Sequence, residues 1–179
     1  MSLHYRHALK QDAENIARLI NSAYRGDSSR AGWTSEADIL SGDRIDTGGI
    51  DKLIERDNSV ILLCVQDDAI IGSVHLEKEG DAAYLGMFVV KPMLQGGGIG
   101  KQFMQQAESV AQTLWGVKKI WMYVISVRSE LIAYYERRGY VRTGRFKPLA
   151  SVVEKEFQLI DDLQFEELEK QLSLPGAKS

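Results

Sequence analysis

Apolar residues recur along this chain with two different periods. Ala13, Ile16, Ala17, Leu19, Ile20 and Ala23 follow a helical rhythm and predict a helix from Asp12 to about Tyr24, after a short strand at Leu3 to Leu9. A polar connection runs from Arg25 to Gly32, and Thr34 then caps a short helix that Gly42 ends. Ile50, Leu53 and Ile54 share one face of a further helix, Thr47 to about Arg56. The rhythm then changes to that of strands. Val60 to Gln66 and Ala69 to Lys78 flank Asp67-Asp68 as a hairpin, and Glu79-Gly80-Asp81 turns into a third strand, Ala82 to Val90. A helix from Gly98 to about Leu114 follows, then a strand, Val117 to Val124, and a helix from Leu131 that Gly139 closes. Tyr140 to Phe146 and Val152 to Ile160 read as two more strands. Gln164 to Gln171, rich in Glu, Leu, Lys and Gln, reads as an acidic helix before a frayed tail.

The order is therefore β-α-α-α-β-β-β-α-β-α-β-β. It predicts an α/β (α+β) fold with a mixed, mainly antiparallel sheet and helices on both faces. The strands ending at Val90 and Val124 should run parallel, because a helix joins them, and a right-handed crossover is the default. Gly86 inside the first of these strands suits a bulge, a close backbone approach or a simple packing role.

Composition narrows the class. A chain of 179 residues, with 44% apolar and 26% charged residues, suits one domain with a sizeable core. The net charge of −3 gives no general attraction to nucleic acid or to membrane surfaces. The single cysteine, Cys64, excludes an intrachain disulfide framework and reads as a buried core thiol. The amino terminus lacks a signal-peptide core and no apolar run is long enough to span a bilayer, so the expected location is cytoplasmic. No set of His, Cys, Asp and Glu has metal-ligand spacing, so no metal is expected.

The chemistry concentrates in Gln95-Gly96-Gly97-Gly98-Ile99-Gly100-Lys101, between a strand and a helix. Glycines let the chain turn sharply and let a ligand approach the backbone. The helix that follows presents unpaired N–H groups and a partial positive charge, a site for phosphate. A P-loop would need glycine where Gln95 stands and a hydroxyl where Gln102 stands. A dinucleotide fingerprint would need glycine at Lys101 or at Phe103. What remains is Q-x-x-G-x-G on Gln95, Gly98 and Gly100, with a plain glycine-rich turn as the competing reading. A second segment, Leu131-Ile132-Ala133-Tyr134-Tyr135-Glu136-Arg137-Arg138-Gly139-Tyr140, places an aromatic helix before a glycine and a strand.

The first motif resembles the pyrophosphate loop of the GNAT superfamily of N-acetyltransferases, written Q/R-x-x-G-x-G/A. The second resembles that superfamily's A-x-x-x-Y-E-x-x-G-F, with Tyr135 at the tyrosine. One helix and one strand separate them, as in the superfamily. The resemblance implies acetyl-CoA as the acetyl donor and an N-acetyltransferase that moves the acetyl group to a primary amine by direct attack in a ternary complex. It implies that backbone N–H groups of Gln95, Gly96, Gly97, Gly98, Ile99, Gly100 and Lys101 hold the pyrophosphate. It also implies that the edge Phe88-Val89-Val90 pairs with the pantetheine amides and that an N–H near Phe88 or Val89 polarises the thioester carbonyl. The resemblance makes Tyr135 the expected general acid for the departing thiolate, a suitable partner because phenol and thiol have similar intrinsic pKa values. A core role is the other reading of Tyr135, and Tyr134 is the adjacent alternative, about 100° around the helix. Arg128 stands where many relatives carry Asn for a contact to pantetheine; the two alternatives are that a flanking serine, Ser126 or Ser129, takes over that contact or that Arg128 reaches a coenzyme phosphate.

The general base is less defined. Glu77 and Tyr84 are the candidates, acting through water. His75 shares the face of Glu77 but reads as structural, and His4 and His7 are weaker. Trp33, Glu36 and Arg44, in the region between the first two long helices, are the acceptor candidates, and a solvated helix pair is an equal reading of that region. The expected acceptor is a small-molecule or peptide amine, no nucleic-acid or membrane partner is expected, and a homodimer, common in that superfamily, is one candidate assembly. Two other classes remain: a non-catalytic acetyl-CoA-binding sensor, and a nucleotide-binding protein using the same glycine loop.

Overall fold

The computed structural model describes residues 2–24, 45–91, 94, 97–148 and 163–173. In chain order the elements are β1 (Leu3–His7), a turn of 3-10 helix (Lys10–Asp12), α1 (Ala13–Tyr24), α2 (Thr47–Glu55), β2 (Ser59–Gln66), β3 (Ala69–Glu79), β4 (Ala82–Val90), α3 (Ile99–Trp115), β5 (Lys119–Ile125), α4 (Ser129–Glu136), β6 (Val141–Pro148) and β7 (Gln164–Gln171). The expected short helix after Thr34 and the expected strand Val152 to Ile160 lie outside the described residues.

The strands form a seven-stranded sheet in the order β1-β2-β3-β4-β5-β7-β6. Only β4 and β5 pair in parallel; the other described pairs are antiparallel. The mixed, mainly antiparallel sheet expected from the element order is therefore present. Asp67 and Asp68, both at positive φ, close the β2–β3 hairpin as expected.

Each face of the sheet carries its own core. Ile61, Leu63, Val65 and Val89 pack against the α1 and α2 face, where Ile16, Ile20 and Ile50 are fully buried. Leu62, Cys64, Val74, Leu76, Leu85 and Phe88 point to the opposite face, with Phe103 and Met104 of α3 and Ile132 of α4. Strand β2 is thus covered on both sides, which is why its apolar run is continuous rather than alternating. Burial pushes the Cys64 thiol up to about 11, so it is an inert core group, as its sequence context implied.

The segment Gln164–Gln171 is a strand, not the acidic helix its composition suggests. It inserts between β5 and β6 and pairs with both. Its true period is two: Glu166 and Leu168 are buried on one face, while Glu167 and Glu169 share the other. Arg145 Nε donates to Glu167 at 2.6 Å, and Lys119 lies 3.3 Å from Glu169. These cross-strand ion pairs and two hydrogen-bonded ladders outweigh the helix propensity of Glu, Leu, Lys and Gln.

Candidate functional site

Strands β4 and β5 pair only over Ala82–Tyr84 and Lys119–Trp121. Beyond that short ladder the two parallel strands run on to Val90 and Ile125 without further mutual pairing. The divergence opens toward their carboxyl ends, where both crossover loops begin. In β4, Ser73 pairs with Val89 but His75 pairs with Gly86, so Met87 and Phe88 together oppose Val74. This is a bulge, and Met87 adopts φ 49° to make it. Gly86 has a separate role. A Cβ there would come within 2.7 Å of the Tyr84 hydroxyl, so the glycine lets the phenol lie along the strand toward the bulge.

The glycine-rich segment leads into α3 as the pattern implied. Gly98 is the residue before the helix, at φ 82°, with its carbonyl accepting from Gln102 N–H at 3.2 Å. Gln95 and Gly96 lie outside the described residues. Ile99 and Gly100 form the first turn and are half-buried, while Lys101 is exposed. The Tyr134 ring of α4 comes up against this turn, and its hydroxyl fills the space beside the Gly100 Cα. Arg128 immediately precedes α4, at the same end of the sheet as the glycine segment, because β4 and β5 are parallel.

On the α1 and α2 face a cavity of about 380 Å³ opens against the bulge. Gly86 and Met87 form one wall, and Glu77, Tyr84 and His75 another. Rings of Tyr84, Trp121 and Tyr123 line its floor, with centroids 4.9 Å and 5.1 Å apart in sequence. Glu77 is tied down: Arg56 Nη1 donates to its Oε1 at 2.8 Å. The structure thus brings the expected base candidates Glu77 and Tyr84 to one cavity. Trp33, Glu36 and Arg44 lie outside the described residues.

His75 is a structural tie in that wall. The Ser59 hydroxyl donates to the Leu53 carbonyl of α2 at 2.8 Å, so Nε2 of His75 carries the hydrogen and donates to Ser59 Oγ, also at 2.8 Å. Burial lowers the imidazole pKa to about 4, against a smaller opposite effect from Glu77. The ring is therefore neutral at pH 7 and joins β3 to the end of α2.

Tyr135 sits on the other face of the sheet. It is 4% exposed, within the core shared by α3 and α4, and its ring meets those of Tyr134 and Tyr140 edge-on. Phe88 and Val90 point into the same core, while Val89 points to the α1 and α2 face. The site candidates thus divide between two faces that meet at the β4–β5 gap. Sequence reasoning missed Arg56, Trp121 and Tyr123. The alternation of Trp121 and Tyr123 with Ile120, Met122 and Val124 was the available signal for a lined face. Among the described residues, no three His, Cys, Asp or Glu side chains form a metal set, and no helix is long and apolar enough to cross a membrane.

The family described as Acetyltransferase (GNAT) family matches residues 14–140. No match was found among curated proteins. Among solved structures, the ribosomal-protein-S18-alanine N-acetyltransferase from Escherichia coli is similar, with a TM-score of 0.71 at 12% identity, covering 99% of each chain. The PaiA N-acetyltransferase from Thermoplasma acidophilum, in complex with coenzyme A, has a TM-score of 0.67 at 17% identity, covering 96% of this chain and 100% of its own. The spermidine/spermine N-acetyltransferase from Vibrio cholerae has a TM-score of 0.64 at 18% identity, covering 95% of each chain. At these identities the structural likeness speaks for the fold, and the family match speaks for the rest: the chain belongs to the acetyltransferase (GNAT) family and is an acyltransferase.

Proposed function

We propose that the protein transfers an acetyl group from acetyl-CoA to a primary amine, by direct attack within a ternary complex. The observation that carries this reading is the β4–β5 divergence beyond Tyr84 and Trp121, with the Met87 bulge beside it and an acid- and ring-lined cavity opening onto it. An extended pantetheine arm fits such a gap by adding to the β4 edge at Phe88, Val89 and Val90. Backbone N–H groups from Gln95 through Lys101 hold the pyrophosphate, and Arg128 adds charge at the same end.

The amine approaches from the cavity, and Trp33, Glu36 and Arg44, outside the described residues, stay acceptor candidates on their sequence alone. Its nitrogen must be neutral to attack, and Tyr84 or Glu77 takes the proton through water. Attack on the carbonyl carbon moves charge onto its oxygen, which N–H groups of the bulged Met87–Val89 segment stabilise. The C–S bond then breaks, and Tyr135, on the far side of the gap, gives its proton to the thiolate. Acceptor and leaving group thus use opposite faces of one sheet. The acceptors named for two structural neighbours, an alanine of ribosomal protein S18 and spermidine/spermine, both present amines, which supports the choice of amine over hydroxyl.

A thiol-release assay with acetyl-CoA and a panel of primary amines, amino acids, polyamines and peptides tests this reading. Turnover with at least one amine, and none with matching alcohols, is the expected result. Coenzyme binding without turnover on any acceptor would replace it with a sensor role.

A further inference from the structure

The acceptor cavity carries an amine of the protein's own. Lys147, on β6, is the one lysine among the described residues that lines it, together with Tyr84, Gly86, Met87, Trp121 and Tyr123. Phe165 of β7 pairs with Ile125 on one side and with Lys147 on the other. Lys147 therefore stands level with the carboxyl end of β5 and shares the face of Tyr123. Tyr84 and Trp121 are the last pair of the β4–β5 ladder. Gly86 and Tyr123, each two residues further on, stand on either side of the opening, and both line the cavity. The Nζ of Lys147 lies 4.8 Å from the centroid of the Tyr123 ring, so this amine reaches the rim of the gap.

Among the described residues, no carboxylate pairs with Lys147. The neighbouring carboxylates are held by other cations: Glu77 by Arg56, and Glu167 and Glu169 by Arg145. Glu79, exposed at the cavity rim, makes no ion pair with it. A ring face attracts an ammonium, but it fixes the proton there less firmly than a carboxylate would. The side chain is half-buried, which restricts its positions and raises its effective concentration at the opening. We infer that Lys147 is an acetylation site: with no other amine in the cavity, its Nζ accepts the acetyl group from acetyl-CoA bound to the same chain. The ammonium first gives a proton to the cavity base, Glu77 or Tyr84 through water. The nitrogen lone pair then forms the N–C bond and the C–S bond breaks. A second proton leaves the nitrogen as the amide forms, and the departing thiolate takes one up. The net change converts a thioester and an ammonium into an amide, a thiol and a proton. This rests on the proposed donor reading and adds a modification which that reading does not require.

Mass spectrometry of the full chain, incubated with acetyl-CoA and no added amine, tests the inference. The adduct should map to Lys147 and form at a rate independent of protein concentration. That rate should exceed the rate at the exposed Lys78 and Lys118 by about tenfold or more, because the amine is held beside the donor. Excess desulfo-coenzyme A should suppress the Lys147 adduct and leave the slow adducts unchanged. Lys147→Arg keeps a cation over the Tyr123 ring but removes the primary amine, so it should lose the fast adduct, and an unchanged melting temperature checks that the fold persists. Adducts spread evenly over the lysines, or a Lys147 adduct that desulfo-coenzyme A does not slow, would mean spontaneous chemistry and overturn the inference. A rate that climbs with protein concentration would overturn transfer within one chain. Absence of the adduct from Lys147 in a protein that binds acetyl-CoA would overturn the inference and leave the donor reading standing. A protein that binds no acetyl-CoA in isothermal titration would overturn the donor reading itself.

Discussion

The hydroxyl of Tyr134 occupies the space that a Cβ on Gly100 would need. The first turn of α3 and the body of α4 are fitted to one another at this point, directly behind the proposed pyrophosphate site. Glycine at position 100 is therefore a packing requirement as well as part of a phosphate-binding pattern.

Gly100→Ala should cost about 1–3 kcal/mol of stability, the usual range for overpacking. Adding Tyr134→Phe removes the clashing oxygen, so the double variant should be more stable than the two single effects added together. Urea denaturation of the four proteins measures the coupling. Strict additivity would mean that the two residues do not meet.

Tyr135→Phe keeps the ring and its packing against Tyr134 and Tyr140 and removes only the hydroxyl. If that hydroxyl protonates the thiolate, kcat should fall by about 10²–10⁴-fold with little change in KM for acetyl-CoA. Steady-state kinetics decide it. Unchanged turnover would make Tyr135 a core residue alone.

Glu77→Gln tests the base. An alkylammonium has a pKa near 10.4, so the rate should climb from neutral to alkaline pH in the parent. The ascending limb should flatten in the variant if the Glu77 carboxylate relays the proton. Arg56, 2.8 Å from that carboxylate, orients it in either case. A profile identical to the parent's removes Glu77 and leaves Tyr84.

His75 should make stability depend on pH in a defined window. Its folded pKa is about 4, below the unfolded value near 6.5. The unfolded chain therefore binds the proton first as pH falls. The contribution is fully present above pH 6.5 and is lost as pH falls from about 6.5 through about 4, amounting to up to about 3 kcal/mol. His75→Gln keeps an N–H for Ser59 but does not titrate, so its denaturation midpoint should lose this slope. Parallel curves for parent and variant between pH 6.5 and 4 would contradict the buried, neutral assignment.

What could be read from the chain depended on how local the signal was. Gly98 and Gly100 are visible because a turn and a close contact demand glycine at fixed spacing within a few residues. The helix between β4 and β5 is visible from its own periodicity, and it implies their parallel pairing. By contrast, Tyr84 and Trp121 become neighbours only through the sheet, so no local pattern announces their shared cavity. The Arg56–Glu77 pair is hidden for the same reason. The bulge carries a partial signal in Gly86, yet the positive φ falls on Met87, whose side chain gives no hint of it. In Gln164–Gln171 the local signal points the wrong way. Its residues favour a helix, and only pairing with β5 and β6, distant in sequence, makes it a strand.

In the proposed complex coenzyme A lies on the first turn of α3, with its pyrophosphate against Gly98. The direct measurement is acetyl-CoA affinity by isothermal titration for the parent and for Gly98→Asp, with melting temperatures for both. Among the described residues, and apart from its chain neighbours, no atom lies within 4 Å of where a Cβ at Gly98 would sit, but its φ of 82° is strained for a side chain. A modest loss of stability is therefore expected in the variant. A much larger effect on binding is expected, because a carboxylate would face the pyrophosphate: affinity should fall by about a hundredfold or more while the variant stays folded. A folded Gly98→Asp that binds acetyl-CoA as tightly as the parent would contradict that placement.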